Sequence, residues 1–391
     1  MKKIALIFIC LIFVQFTKAQ ERVITTGVPF LLVAADARSA GMADNGVASS
    51  TDVYSQQWNP SKYAFSLDKQ GFSVSYTPYL VQLVNDISLG QLTYFNKIDD
   101  KSAFASSIRY FSLGEIELRT DVDAAVSIVK PAEYALDLSY ALKLSERFSM
   151  SVGGRFIRSN LRIPTEGQSS AAASSFAVDV SGFYQSEELA FNDFNGRYRW
   201  GFNLQNMGPK INYDQSSDST IGSNFLPANM KVGGGFDFIL DEYNKVALNL
   251  EFNKLMVPTP QEPKDLDSDG TISSFEKAQN NIEYNKIGWV EGMFQSFTDA
   301  PDGFSEELKE ITYSVGAEYM YQDSFAFRLG YFHESPDKGA RKFFSLGTGF
   351  TYNVMKIDVS YLFSASSVQN PLENTLRFSL SFAFGDKYDE Y

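Results

Sequence analysis

The stretch from Lys356 to Phe384 most restricts what this chain can fold into. Ile357, Val359, Tyr361 and Phe363 alternate with Asp358, Ser360 and Leu362. After a polar break at 366–374, Leu376, Phe378, Leu380, Phe382 and Phe384 alternate with Arg377, Ser379, Ser381 and Ala383. A strand sends successive side chains to opposite faces, so each segment has one apolar face and one face of charge, hydroxyl and small residues. A water-soluble sandwich would press the apolar face against a second sheet. Here the pattern recurs through most of the chain, and the opposite face carries ionised groups that a dry core would reject. Lipid outside and a polar lumen inside satisfy both faces, which predicts an all-β, transmembrane antiparallel barrel.

The count of such segments gives the size of the barrel. Alternating spans are predicted at 71–81, 86–96, 102–112, 133–143, 147–158, 174–184, 197–206, 228–239, 245–255, 311–321, 324–333, 342–353, 355–364 and 374–384. That is about fourteen strands, an even number as bacterial outer-membrane barrels require. Their connections alternate in length. Short ones fall at 99–101, 145–146, 241–244, 322–323 and 353–354, and long ones at 113–132, 159–173, 207–227, 256–310 and 365–373. Short periplasmic turns and long extracellular loops have this rhythm, with 82–85 and 185–196 out of step. The phasing places both termini in the periplasm.

Composition agrees with that assignment. Aromatic residues make up 15% of the 391 residues, including 34 Phe and 21 Tyr, as interfacial girdles demand. Mean hydropathy is only -0.19, low for a helical membrane protein and natural for a barrel. Lys2 and Lys3 precede an apolar run from Ile4 to Phe16, and Thr17-Lys18-Ala19 offers small residues for cleavage, so 1–19 reads as a signal peptide. Its removal deletes Cys10, the sole cysteine, and excludes disulfide and thiol chemistry from the mature chain. Loss of Lys2, Lys3 and Lys18 takes the net charge from -13 to -16, which argues against nucleic acid as a partner. Beyond the signal, no apolar run is long enough for a spanning helix.

Inward positions include Asp137, Arg155, Asp179, Arg199, Asp237, Glu251, Glu318, Arg328, Asp358 and Arg377. Both signs occur, so paired charges crossing the lumen are expected rather than strong ion selectivity. Glycines at 153, 201, 233, 235, 316, 330, 347 and 349 on the same face make room for a plug or a channel.

Residues 20–68 lack the alternation and read as a non-barrel segment, with 69–391 forming the barrel. Asp36-Ala37-Arg38-Ser39-Ala40-Gly41-Met42-Ala43-Asp44-Asn45-Gly46-Val47-Ala48, followed by Trp58-Asn59-Pro60, resembles the head of the FadL-like outer-membrane barrels. That resemblance implies a hatch inside a fourteen-stranded barrel, marked by Asp36, Arg38, Gly41, Met42, Trp58, Asn59 and Pro60, with the Asn-Pro pair closing it. The opening Glu21–Ala35 and the overall strand layout look more specifically like the PorV (LptO) family of the Bacteroidetes type IX secretion system. The family implies a role without catalysis. Its members shuttle cargo with C-terminal signal domains from an SprA-like translocon to a PorU-like attachment complex in the outer membrane.

The longest connection holds the sharpest local motif. Asp265, Asp267 and Asp269 stand at positions one, three and five, Gly270 at six and Glu276 at twelve, the spacing of an EF-hand calcium loop. Thr271 would give its carbonyl and Ser273 would reach the ion through water. Pro258, Pro260 and Pro263 rule out an incoming helix, so a structural Ca2+ staple is expected rather than a sensor, with only 274–282 helical. Just beyond, Ile287, Trp289, Met293, Phe294 and Phe297 either fold over the barrel mouth or form a partner surface.

Two other functions compete. Transport of a hydrophobic small molecule, as in FadL channels, would need an apolar pocket behind 36–60 and a gap in the wall. A lipopolysaccharide O-deacylase would need a serine activated by histidine. The one histidine, His333, stands beside Glu334 and Ser335, and the chain has no Gly-x-Ser-x-Gly elbow.

Overall fold

The computed structural model describes residues 23–81, 83–119, 126–161, 172–213, 223–261, 263–267, 270–366 and 370–388. The segment read as a signal peptide, 1–19, lies outside them. Fourteen antiparallel strands form the wall. They are β1 (Asp68–Pro78), β2 (Ile87–Lys97), β3 (Ser102–Leu113), β4 (Ala132–Lys143), β5 (Phe148–Asn160), β6 (Ala173–Gln185) and β7 (Asn195–Met207). Then follow β8 (Asn229–Ile239), β9 (Asn244–Leu255), β10 (Thr312–Tyr321), β11 (Phe325–His333), β12 (Lys342–Tyr352), β13 (Met355–Ser364) and β14 (Leu376–Lys387). Each pairs with its sequence neighbours, and β1 pairs with β14 from Asp68↔Lys387 to Tyr76↔Phe378. Closure leaves no exposed edge.

The predicted face assignment holds along the wall. Leu136, Leu138 and Tyr140 on β4 are exposed on the outside while Asp137 and Ser139 between them are buried. In β14, Leu376 and Phe378 face out and Arg377 and Ser379 face the lumen. Tight turns join β2–β3, β4–β5, β8–β9, β10–β11 and β12–β13. At the β10–β11 turn Gln322 and Asp323 both have positive φ, 53° and 51°, the conformation that matches hairpin twist.

Two expectations change. The first strand is 68–78 rather than 71–81, because Leu80 turns left-handed at φ 53° and breaks the strand just after Pro78. The connection to β2 is thereby 79–86, and the length rhythm is out of step only at 186–194, where Leu189–Ala190 forms a small added pairing with β7. The second change concerns the ends. Gly27 N–H donates to the Phe225 carbonyl at 2.9 Å, at the mouth with the long connections, whereas Tyr388 N–H donates to the Leu67 carbonyl at the tight-turn mouth. The two ends of the described chain thus lie at opposite mouths, not at one. Strand parity fixes where the barrel starts, but says nothing of the path taken by the chain before it.

That path runs through the lumen. A 3-10 turn at Pro29–Leu32 packs with Leu89, Phe111 and Ile157 near the long-connection mouth. Short helices α1 (Ala37–Ala40) and α2 (Ser55–Trp58) and a 3-10 segment at Pro60–Phe65 then carry the chain down to β1. Outside the barrel, the 256–310 connection holds three helices: α3 (Ser274–Lys286), α4 (Trp289–Gln295) and α5 (Phe304–Lys309).

Candidate functional site

Two non-barrel regions are candidates for function: the hatch in the lumen and the helical crown on the long connection. In the hatch, Asp36 caps α1, its Oδ1 accepting from Ser39 N–H at 2.8 Å while Oδ2 accepts from Trp58 Nε1–H at 2.6 Å. One carboxylate therefore joins both ends of the motif. Arg38 reaches the wall. Its guanidinium meets Glu318 of β10 at 2.9 Å and Asp52 of the hatch at 2.5 Å. Glu318 also takes Arg328 of β11 at 2.5 Å, and Arg328 meets Asp358 of β13 at 2.8 Å. A buried chain of alternating charge thus crosses from plug to wall, each member compensating the next.

Other contacts repeat that logic. Gly46 and Val47 N–H groups donate to Glu251 Oε2 at 2.8 and 2.9 Å. Arg199 binds Asp237 in a bidentate pair at 2.5 and 2.6 Å and donates to the Ala48 carbonyl at 3.0 Å. Arg377 meets Asp44 at 3.2 Å, and Arg155 pairs with Asp137 and Asp179. Asn59 Nδ2–H donates to the Val47 carbonyl and to the Gly182 carbonyl of β6, tying the Asn59-Pro60 corner to the wall. Plug and wall backbones approach closely at Gly330, Gly201 and Gly41. A Cβ on Gly330 would collide with Met42 and Ala43, one on Gly201 would stand 2.5 Å from the Val47 carbonyl oxygen, and one on Gly41 3.0 Å from the Gly347 Cα.

Cavities open on either side of this plug. One of about 970 Å³ lies at the tight-turn mouth, lined by Asp52, Asp68, Asp237, Asp241 and Arg199 among others. Another of about 460 Å³ lies at the long-connection mouth against Ile24, Leu32, Trp58, Lys231 and Phe332. The wall between them is hydrogen-bonded at every strand pair, with a bulge at Leu204/Met207 where Asn206 has φ 59°.

The crown is built differently. Ser273 caps α3 in a capping box, with Glu276 N–H donating to Ser273 Oγ at 3.3 Å and Ser273 N–H to Glu276 Oε2 at 2.8 Å. Carboxylate oxygens of Asp265, Asp267 and Glu276 lie within 4.8 Å of one another. Gly270 takes φ +83°, as the sixth position of the loop needs, and its N–H donates to Asp265 Oδ2 at 2.7 Å. Hydrogen bonds from the Ser273 and Leu266 backbone hold the Glu276 carboxyl below its ordinary range. Three hard oxygen donors are thus brought together, the donor type that Ca2+ takes. Asp269 lies outside the described residues. Thr271 is exposed beside Gly270, and the Ser273 hydroxyl is engaged with Glu276.

The crown is fastened to the rim by its polar side. Lys254 meets Glu307 at 3.0 Å and Glu310 at 2.6 Å, and Lys338 meets Glu306 at 2.6 Å and Glu310 at 2.9 Å. Tyr284 Oη–H donates to the Pro258 carbonyl at 2.8 Å, and Lys210 Nζ–H donates to the Asn285 carbonyl at the end of α3. Asp299 accepts from Thr259 N–H at 3.0 Å, and burial pushes its pKa up to about 6. Of the apolar residues singled out above, Ile287, Trp289 and Met293 are half-buried while Phe294 and Phe297 are exposed. The Lys254/Lys338 cluster escaped sequence reasoning, since Lys254 lies on β9, the glutamates on α5 and its C-cap, and Lys338 in the β11–β12 connection.

His333 sits on the outward face of β11. Its ring stacks on Tyr313 at 4.8 Å and Nδ1 lies 3.4 Å from Tyr331 Oη. Ser335 Oγ accepts from Asp337 N–H, and Glu334 pairs with Arg341 at 2.8 Å.

Comparison with known proteins places this geometry. The family model described as "Type IX secretion system protein PorV" matches residues 16–262. Among solved structures, the Pseudomonas putida toluene transporter TodX aligns at 11% identity with TM-score 0.52, covering 90% of this chain and 99% of that one. A FadL homologue from Pseudomonas aeruginosa aligns at 13% identity with TM-score 0.46, covering 93% and 100%. The TodX likeness shows the fold alone, a β-barrel of this kind. Comparison with curated protein sequences finds no match.

Proposed function

The chain belongs to the PorV family of type IX secretion system proteins, and from that premise we propose that it is a non-enzymatic carrier within the system. In this reading it takes cargo with C-terminal signal domains from an SprA-like translocon and passes it to a PorU-like attachment complex. The mouth with the long connections faces the exterior, and the tight turns face the periplasm. The observation that carries the reading is the contrast between a lumen filled by a charge-clamped hatch and a crown that holds its apolar side chains outward. Work done at the rim suits a protein partner better than a solute passing through.

The two competing readings have less support. A small-molecule route calls for an opening in the wall; every strand pairs with both neighbours, and the one interruption described above is the bulge at Leu204/Met207. A hydrolase calls for a histidine in reach of a serine, while His333 is engaged by Tyr313 and Tyr331. Affinity capture from the outer membrane, with partners identified by mass spectrometry, tests the proposal. Deleting 260–297 should abolish capture of translocon and cargo and leave barrel assembly intact. Unchanged capture refutes it, and loss of secretion in His333→Ala would revive a hydrolase.

We also propose that Asp265, Asp267, Asp269 and Glu276, with the Thr271 carbonyl and a water held by Ser273, bind one structural Ca2+. The converging carboxylates support this, and the ion would supply the positive charge that lets them stay close. Calorimetric titration of the chelator-treated full chain should give one site per chain, absent in Asp265→Asn/Glu276→Gln. Equal heats from both proteins would dismiss it.

A further inference from the structure

The lipid-facing side of the wall carries a charge of its own. Arg158 occupies an outward position of β5, paired in register with Tyr134 of β4 and Ser174 of β6, with Tyr110 of β3 beyond Tyr134. All four side chains are exposed. Four neighbouring strands thus present one row of donors: two phenols, a guanidinium and a hydroxyl. Within the row, Arg158 Nη1–H donates to Ser174 Oγ at 3.5 Å, and among the described residues no carboxylate pairs with Arg158. Lys130, two residues before β4, is by contrast paired with Glu115 at 2.5 Å.

The depth of this row follows from strand geometry. Ten residues separate Arg158 from Phe148 at the other end of β5, whose ring stacks on Trp200 at 5.7 Å, with Tyr184 against the same indole at 5.8 Å. Ten residues rise about 33 Å along a strand and, at a tilt near 40°, about 25 Å along the membrane normal. That is the height of the apolar band between two aromatic girdles. With Phe148, Tyr184 and Trp200 at one interface, Arg158 and its tyrosines stand at the other, level with lipid headgroups. The wall toward the bilayer centre suits a hydrocarbon chain. The next row is Ile108, Leu136, Phe156 and Phe176, all apolar. In the row after it Gly154 lies between Leu138 and Val178, 61% and 47% exposed, and a Cβ on Gly154 would meet nothing within 4 Å. A shallow furrow therefore runs inward from Arg158. We infer that Arg158, with Tyr110, Tyr134 and Ser174, receives the phosphate of an anionic membrane lipid whose acyl chain lies along the Gly154 furrow. The guanidinium fork matches two phosphate oxygens, and the hydroxyls donate to the rest. The furrow selects lipid over free phosphate. Assignment of that lipid to the outer leaflet rests on the orientation proposed above; the binding does not.

The test uses the full mature chain in neutral maltoside micelles, with bound lipid counted by native mass spectrometry. Micelles have no leaflets, so the result is independent of the orientation. The probes are dioctanoyl phosphatidic acid, dioctanoyl phosphatidylcholine and inorganic phosphate. Phosphatidic acid should bind about tenfold or more tightly than phosphatidylcholine, and Arg158→Gln should lose that margin while keeping its thermal transition. Arg158→Lys, which keeps the charge without the fork, should retain part of it. Tyr134→Phe should weaken binding about threefold. Equal binding of the two lipids, or an undiminished margin in Arg158→Gln, overturns the inference. Inorganic phosphate bound as tightly as phosphatidic acid overturns the lipid assignment, and unchanged binding in Gly154→Leu overturns the acyl part of the site. Lys342 begins β12, seven strands away around the barrel. A margin lost in Lys342→Gln but kept in Arg158→Gln would place the phosphate there and overturn the site.

Discussion

The hatch and the crown are both excursions from the same cylinder, and they use charge in opposite ways. In the hatch, Arg38, Asp52 and Asp36 are enclosed with Trp58 and Met42; Arg38 meets opposite charges, Asp36 accepts hydrogen bonds, and buried Lys62 donates to the Gly46 carbonyl and the Ser49 hydroxyl. In the crown, the buried ion pairs form the underside, an exposed pair joins Glu283 to Lys286, and Phe275, Phe294 and Phe304 are turned out. The first arrangement specifies one position for the plug, because a shifted hatch would strand charges in the lumen. The second fixes a platform and leaves its upper side unsatisfied. Rigidity in one region and availability in the other divide closure from recognition.

The sharpest way to break this contrast is Arg38→Met. It leaves Glu318 with only Arg328 and leaves Asp52 buried without its main partner, and should cost about 3–5 kcal/mol of hatch stability. Hydrogen exchange across 34–66 should accelerate accordingly while the crown is unchanged. Gly330→Val comes next. Its side chain meets the backbone of Met42 and Ala43, and overpacking of this kind should cost about 1–3 kcal/mol. The measurement is the same, and unchanged protection would show that the hatch yields easily. In the crown, Ser273→Ala removes the α3 cap and should cost about 1 kcal/mol, read as faster exchange in 274–286 without effect on the hatch.

The smallest effect is a pH dependence. Burial raises the Asp299 pKa to about 6 from an unfolded value of 3.8. A carboxyl with a raised folded pKa favours the folded loop in its neutral form. Its stabilising contribution is therefore full below about pH 4 and is lost as pH rises through about 6. Opening of the segment around Thr259 and Ala300, corrected for intrinsic exchange rates, should increase from pH 5 to pH 7 in the wild type. In Asp299→Asn it should stay flat.

Much of the wall was legible in the sequence because period-two alternation is imposed locally by lipid on one side and water or plug on the other. All fourteen strands fall close to the predicted spans, and the miss at β1 comes from backbone geometry at Leu80. The pairing of Arg38 with Glu318 was not legible, since the two stand 280 residues apart and no local pattern links them. Nor does sequence tell which side of α5 faces the barrel. Phe304/Leu308 and Glu306/Glu307 make an ordinary amphipathic pattern, and only Lys254 and Lys338 decide that the glutamates go inward. The calcium-loop spacing was visible, but the convergence of Asp265, Asp267 and Glu276 required coordinates.

The opposite placement of residue 23 and residue 388 has a bearing on manufacture. A continuous thread enters at one rim, runs the length of the bore and becomes the first stave at the other, while the final stave locks against it. Such a stopper either lies in position when β14 seals the seam or is drawn in afterwards by threading the chain ahead of it through the bore, and it leaves by the reverse of one of these paths.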